Sequence, residues 1–315
     1  MIVTLTPNPS VDRTLEVPVL ERGAVVRASA SRTHPGGKGV NVSRALAANG
    51  VSTRAVLPAG GREGDQLLDL LDGLGIEVVG VPIAGAVRAN VTVAEADGTV
   101  TKLNAPGPHL SVDESSSLVK AIIAASADAS WIAVCGSLPS GADPQFARVV
   151  VEALHEAGMR VAVDSSGPAF SAALEAGPEL VKPNAEELAE AVGRRLRTVG
   201  HVVAAARELV DRGVGAALVT LGSAGAVLVT PTATHRVVAP AEVPRSTVGA
   251  GDATLAGFLA CEAGSEEALR WGVAWGAAAV RLPGTQMPGP GDVRLDEVRL
   301  VDLDEGESLE GREGA

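Results

Sequence analysis

Tyrosine is missing from this chain of 315 residues, and aromatic residues together make up only 2% of it. A core without large rings must be filled by aliphatic side chains, and hydrophobic residues reach 46%. Cysteine is nearly absent too. Cys135 and Cys261 form no CxxC pair, which excludes a disulfide framework, and Cys135 closes an apolar run as a small buried residue would. Positive charge is scarce: 26 Lys and Arg face 38 Asp and Glu, a net charge of −12 that argues against nucleic acid or an anionic membrane as partner. No uninterrupted apolar run approaches the roughly 18 residues of a membrane span. The opening "MIVTLTPNPSVDRT" lacks the basic and apolar segments of a secretory leader, so a reducing cytoplasm is the expected compartment.

Familiar catalytic signatures are missing as well. There is no GxxxxGK[ST] loop, no complete GxGxxG after a strand, no GxSxG elbow and neither HRD nor DFG. The five histidines (34, 109, 155, 201 and 235) never fall at metal-ligand spacing. Any anion must therefore be held by glycine amides and a few well-placed cations.

What is present is an alternation. From about residue 111 onward, short apolar runs such as "WIAVCG", "MRVAVDSSG" and "GAALVTLG" alternate with amphipathic stretches such as "DPQFARVVVEALHEAG". That pattern predicts a doubly covered, mainly parallel sheet, the α/β class. The earlier alternating segments lack helical partners of their own. "ANVTVAEADGTVTKLN" (89–104) carries a hairpin signal at Asp97-Gly98. A small β-sheet built from about 13–33 and 88–104 is expected to project from the body. Residues 1–301 then form one domain, and the acidic, Gly-rich tail 302–315 is expected to be disordered.

Five segments could carry chemistry, each with a plainer reading beside it. "HPGGKGVNVSRAL" (34–46) sets Gly36, Gly37 and Gly39 at a helix start with Lys38 and Asn41, or is only a glycine turn. "VKPNAEEL" (181–188) sets Asn184 three residues before Glu187, either a hydrated-magnesium element or a capping box. "LVTLGSAGA" (218–226) and "CGSLPSG" (135–141) end buried strands, at the edge where open α/β sheets bind ligands. Asp12 and Arg88 flank the projecting sheet and read equally as surface charges. "STVGAGDA" (246–253) is the sharpest: amides of 249–252 at a helix N-terminus would favour a phosphoryl group. Asp252, beside the same point, could take a proton from an attacking hydroxyl.

Taken in order, "TPNPSVDRT", "GGKGVNVSRAL", "GSLPSG", "DSSG", "VKPNAEEL", "TLGSAGA" and "STVGAGDA" resemble the ribokinase-like, PfkB-type carbohydrate kinases over about residues 1–300. "NAPGP" (104–108), Lys38 in "GGKG" and Ser246 point to the sugar-phosphate branch typified by 1-phosphofructokinases. The resemblance implies a three-layer α/β/α sandwich with a β lid, ATP as donor and Mg²⁺ as cofactor. It implies Asp252 as catalytic base, with Gly249, Ala250 and Gly251 as anion hole. Asp12, Gly36, Gly37, Lys38, Asn41, Arg88 and Ser137 match sugar or sugar-phosphate contacts. Asn184, Thr220, Gly222, Gly225 and Val248 match the nucleotide site, and Glu187 the magnesium site through water. A homodimer through the lid is implied. The expected reaction is phosphorylation of a ketohexose phosphate, D-fructose 1-phosphate foremost. Tagatose 6-phosphate or fructose 6-phosphate are the alternatives, and a non-catalytic sugar-phosphate sensor is the rival of another class. One departure weakens the 6-phosphofructokinase reading: Val25 stands where a phosphate-binding lysine occurs in the minor 6-phosphofructokinase.

Overall fold

The computed structural model describes residues 1–240 and 244–309. Among them, seven strands of the larger sheet run parallel. They are β1 (Ile2–Leu5), β4 (Thr53–Ala59), β5 (Glu77–Pro82), β8 (Trp131–Cys135), β9 (Val161–Asp164), β10 (Leu180–Val181) and β11 (Ala217–Thr220). β12 (Ala226–Val229), β13 (Thr234–Val238) and β14 (Arg299–Val301) extend one edge antiparallel. The strand order is β14-β13-β12-β11-β10-β9-β8-β1-β4-β5. From β1 the chain first builds outward through β4 and β5, then returns to build the other way from β8. The order reverses beside β1, and the carboxyl ends of β1 and β8 flank the crevice where open sheets hold ligands.

Strands buried on both faces explain the apolar runs. In β9, Val161 and Val163 join one core and Ala162 the other; in β11, Ala217 and Val219 oppose Leu218 in the same way. One face is covered by α3 (Val112–Ala125), α4 (Gln145–Glu156), α5 (Gly167–Leu174), α6 (Ala185–Val192) and α7 (Val199–Asp211). The other is covered by α1 (Lys38–Ala48), α8 (Ala250–Ala260) and α9 (Ser265–Val280). α8 and α9 are small-residue helices: Cβ atoms added at Gly257 and Gly276 would lie 2.7 Å from Trp275 Cγ and 2.2 Å from Thr254 Oγ1. Glycine is what lets these two helices close on each other.

The smaller sheet has the order β3-β2-β6-β7, from β2 (Ser10–Val17), β3 (Ala30–Gly36), β6 (Arg88–Glu95) and β7 (Val100–Leu103). Its β2–β3 pair spans residues 10–36, wider than the expected 13–33, because β2 and β3 run directly out of the body, while β6 and β7 fall within the expected 88–104. The β6–β7 hairpin turns at Asp97-Gly98 with Gly98 at φ 93°. α2 (Gly61–Leu71) packs beneath this sheet, sharing a small core in which Val11 and Val87 meet Val40, Leu57, Leu67 and Leu71.

The tail departs from expectation over 302–309. Arg236, only 4% exposed, donates two hydrogen bonds to Glu307 at 2.6 and 2.8 Å. Backbone bonds from Val199, Gly200 and Leu309 tie the segment to the start of α7, and Leu309 is buried in the core. A nearly buried arginine needs a carboxylate, and composition alone could not show that the acidic tail supplies it. Residues 310–315 of the expected disordered segment lie outside the described residues.

Candidate active site

Glycine decides how the two helices at the crevice begin. Gly37, the residue before α1, has φ 110°, and Gly249, before α8, has φ 83°. Both conformations favour glycine, and neither residue can offer a side-chain cap. The first amides of both helices are therefore left without a side-chain acceptor. Gly251 lies within the first turn of α8, where a Cβ would approach Lys182 Nζ to 3.2 Å. Gly36 closes on Asp12, and a Cβ there would lie 2.2 Å from Asp12 Oδ2.

Asp252 stands in the first turn of α8 and is 7% exposed. Asn41 Nδ2, from α1, donates to its Oδ2 at 2.9 Å, while Asn41 Oδ1 accepts from Arg44 at 3.0 Å. Burial, reinforced by the charge of Asp164, pushes the Asp252 carboxyl up to about 6, against the opposing pull of Lys38, Asn41 and Lys182. A carboxylate poised there can hold or release a proton near neutral pH.

Beside it lies a chain of alternating charges. Asp164, fully buried at the end of β9, accepts from Lys38 Nζ at 2.7 Å and pairs with Lys182 Nζ at 3.0 Å. Lys38 Nζ also reaches Glu187 Oε1 at 3.1 Å. Burial would raise the Asp164 carboxyl, but the two lysines overcome it and hold it below the usual carboxylate range. Burial would likewise lower Lys38; Asp164 and Glu187 outweigh that and raise it.

Asn184 and Glu187 form a capping box at α6: Glu187 N–H donates to Asn184 Oδ1 at 2.7 Å, and Asn184 N–H to Glu187 Oε2 at 2.9 Å. The plainer reading of "VKPNAEEL" is thus correct as geometry, while Glu187 still turns one oxygen to Lys38. Asn184 also bridges to Thr220 at the end of β11. Gly222 (φ 57°) and Gly225 (φ 84°) shape the following turn, and a Cβ on Gly225 would collide with Val237 O at 2.1 Å. The Val248 N–H donates to Ser246 Oγ at 3.2 Å.

On the lid side, Asp12 Oδ1 accepts from Ser10 at 2.7 Å and Asn90 Nδ2 at 2.9 Å. Arg88 donates to the carbonyls of Ala105 and Asn8, both at 3.0 Å, and its buried Nε has no partner. Asn8, buried beyond β1, donates to Ser137 Oγ at 3.4 Å, and its own Oδ1 has no partner. Burial pulls the Arg88 guanidinium below its ordinary value, with Asp12 opposing. The fold thus draws Lys38, Asn41, Glu187 and Asp252 into one charged group, and Asp12 and Arg88 into a polar patch under the lid. Among the described residues no hydrogen bond or ion pair joins Lys38 to Asp12 or Arg88. Among the described residues no hydrogen bond joins Thr220, Gly222, Gly225 or Val248 to Asp252.

The pattern of the pfkB family carbohydrate kinases matches residues 6–290. The chain belongs to that family. ATP-dependent 6-phosphofructokinase isozyme 2 of Escherichia coli (strain K12) is 38% identical to this kinase over 292 residues, 91% of this chain and 94% of that one. The 1-phosphofructokinase of Rhodobacter capsulatus is 36% identical over 298 residues, 92% and 93% of the two chains. The crystal structure of phosphofructokinase-2 from E. coli in complex with potassium superposes with a TM-score of 0.88 at 36% identity, covering 92% of this chain and 96% of that one. The kinase has the ribokinase-like fold, is a phosphotransferase to an alcohol group, and takes ATP as its family implies.

Sequence reasoning assigned no role to Asp164, Lys182 or Asn90. A signal for the first two was present: an acid ending the apolar run "VAVD" and a lysine following "LV" must both be buried, and buried charges come in pairs. Among the described residues, no helix is long and apolar enough to cross a membrane.

Proposed function

We propose that this kinase transfers the γ-phosphoryl group of ATP to the 6-hydroxyl of D-fructose 1-phosphate, giving fructose 1,6-bisphosphate. The observation carrying the reading is the buried Asp252 carboxylate, raised to about 6, beside the uncapped amides of α8. Asp252 takes the proton of the sugar hydroxyl as that oxygen attacks the γ-phosphorus and ADP leaves. The amides of Gly249, Ala250 and Gly251 stabilise the charge on the migrating group. Arg88 holds the existing phosphate, Asp12 and Asn41 orient sugar hydroxyls, and Gly36, Gly37 and Ser137 line the sugar. The patch under the lid supports this, because Arg88 Nε and Asn8 Oδ1 are buried polar atoms that lack partners.

Thr220, Gly222, Gly225 and Val248 shape the adenosine side, with Asn184 bridging it to the phosphates. Among the described residues no group of three or more acidic, His or Cys side chains could cage a metal. Glu187, an oxygen donor with a 16% exposed side chain, fits a hydrated Mg²⁺ carried by the nucleotide. That ion would neutralise phosphate charge, and Glu187 would hold it through water.

The exposed lid residues Val25 (87%), Leu103 (61%) and Val100 (53%) support a homodimer in which lids of two copies meet. Two free cysteines support a reducing, cytoplasmic setting. The test is ADP release with a panel of purified acceptors: fructose 1-phosphate, fructose 6-phosphate, tagatose 6-phosphate and ribose. A higher kcat/KM for fructose 6-phosphate would replace the proposed acceptor, and ribose as best substrate would overturn the sugar-phosphate assignment. Binding without ADP formation would make the protein a sensor. Sedimentation of a Val25→Asp/Leu103→Asp variant tests the dimer; an unchanged mass would refute the lid interface.

A further inference from the structure

The mechanism above gives no work to Asp164, the most deeply buried charge at the crevice. It lies at the carboxyl end of β9, wholly shielded from water. Each of its oxygens meets a lysine from a different element: Lys38, at the first position of α1, and Lys182, two residues before the Asn184 cap of α6. Lys182 is itself only 3% exposed, and its ammonium sits where a Cβ on Gly251 would reach it at 3.2 Å. One carboxylate thus holds two cations in the space between the uncapped start of α8 and the capping box of α6. We propose that Asp164 is a positioning residue, a clamp that aims Lys38 and Lys182 at the phosphoryl-transfer side of the crevice and sets the charge around Asp252.

The physical case rests on what each group would do without it. Two lysines this close to each other repel, and a buried ammonium without a counter-ion is strongly disfavoured. With Asp164 between them, both ammonium groups keep a counter-ion near the donor amides of α8 while the phosphates are absent. Anionic phosphates entering the crevice can share these cations with little movement of the backbone, because Asp164 retains the side-chain stems in place. Lys38 is thereby assigned to the transferring phosphoryl group rather than to the phosphate already on the sugar.

Asp164 also acts on Asp252 through space. The groups facing Asp252 are Lys38, Asn41 and Arg44 of α1, Lys182 after β10, Asp164 of β9 and Cys135 of β8. Of these, Asp164 is the negative charge, so its removal leaves an excess of positive charge and makes Asp252 a stronger acid. A residue that only supports the fold would not move the pH dependence in this direction.

The inference rests on the kinase reading above, and the experiment separates the two. The full-length protein and its Asp164→Asn and Lys38→Met variants are assayed with ATP and the best acceptor across pH 4.5–8.5. ATP binding is measured by calorimetry without acceptor. In Asp164→Asn the acid limb of kcat/KM is expected to move down by about one pH unit, and ATP binding to weaken about tenfold. The KM for the sugar phosphate is expected to stay within about threefold. In Lys38→Met the acid limb is expected to move up instead, which keeps the test alive if Asp164→Asn does not fold. An acid limb unmoved in either folded variant, or ATP binding within twofold of the parent in Asp164→Asn, overturns the clamp. A parent that binds ATP but phosphorylates no acceptor refutes the kinase reading alone, and the calorimetry still judges Asp164.

Discussion

α6 and α8 both begin at the carboxyl edge of the same sheet, yet their first turns are treated in opposite ways. α6 opens on Asn184, whose side chain accepts from the Glu187 N–H while Glu187 returns the bond. α8 opens on Gly249 in a left-handed conformation, with no side-chain cap. α3 has a capping box at Ser111 and α7 a Thr198 cap, whereas α1, which meets α8 at the crevice, starts on Gly37 without one. α2, α4, α5 and α9 also start without a side-chain cap, so what sets α1 and α8 apart is their place beside Asp252. Amides at a helix start need an acceptor from a side chain, water or a ligand. At the half-exposed starts of α1 and α8 the proposed phosphoryl group would supply that acceptor.

Removing the acid next to the open amides tests this most severely. Asp252→Ala is expected to lower kcat by about 10³-fold or more while ATP binding changes little. Since the Asp252 carboxyl is raised to about 6, kcat/KM of the parent should rise with pH through that value as the base deprotonates. Near-normal turnover in Asp252→Ala would sink the base assignment. The same residue has a stability signature of opposite sense. A carboxylate whose pKa climbs from 3.8 to about 6 on folding destabilises the native state as pH rises through that window. Asp252→Asn, which keeps the shape, should therefore be more stable than the parent above pH 6, by up to about 3 kcal/mol, and the gain should vanish near pH 4. Thermal melts at the two pH values decide it, and a gain independent of pH would contradict the linkage.

Capping α8 artificially would erase the contrast. Asn tolerates the left-handed conformation at position 249, and its side chain would occupy the amides proposed to hold the phosphoryl group. Its Cβ would meet Met287 Cε at 2.9 Å, the end of a side chain that can turn aside. Gly249→Asn should keep near-parental stability and lose 10- to 100-fold in kcat/KM for ATP. Parental activity in a folded variant would show that those amides do not bind the transferring group.

The sequence revealed the uncapped helices more readily than the charges around them. Glycines at 37, 249 and 251 are visible as letters, and their conformations follow from the lack of a Cβ. The alternation of apolar strands with helices likewise exposed the sheet, since burial on both faces leaves no other pattern. Asp164 was harder: its meaning depends on Lys38, 126 residues away in sequence, and on Glu187 and Lys182 in two further positions. Such pairings are set by strand order, which local patterns do not encode. The tail was misread for the same reason. Acidic composition suggests disorder, but Glu307 completes an ion pair with the buried Arg236, 71 residues before it.

The reverse substitution, at α6, separates the two helices by the kind of damage done. Asn184→Ala removes the acceptor of the Glu187 N–H and leaves one of the first amides of α6 unpaired, at a cost of about 1 kcal/mol. Urea denaturation should show that loss as a lower midpoint with an unchanged slope. Activity should fall less, through a KM for ATP raised a few-fold, because Glu187 keeps its bond to the backbone N–H of position 184 and its contact with Lys38. Capping α8 harms turnover and spares stability, whereas uncapping α6 harms stability and largely spares turnover. If Asn184→Ala leaves the midpoint where it is, the capping box is not what holds the start of α6. An empty cap would then be no evidence of a phosphate site at α8 either.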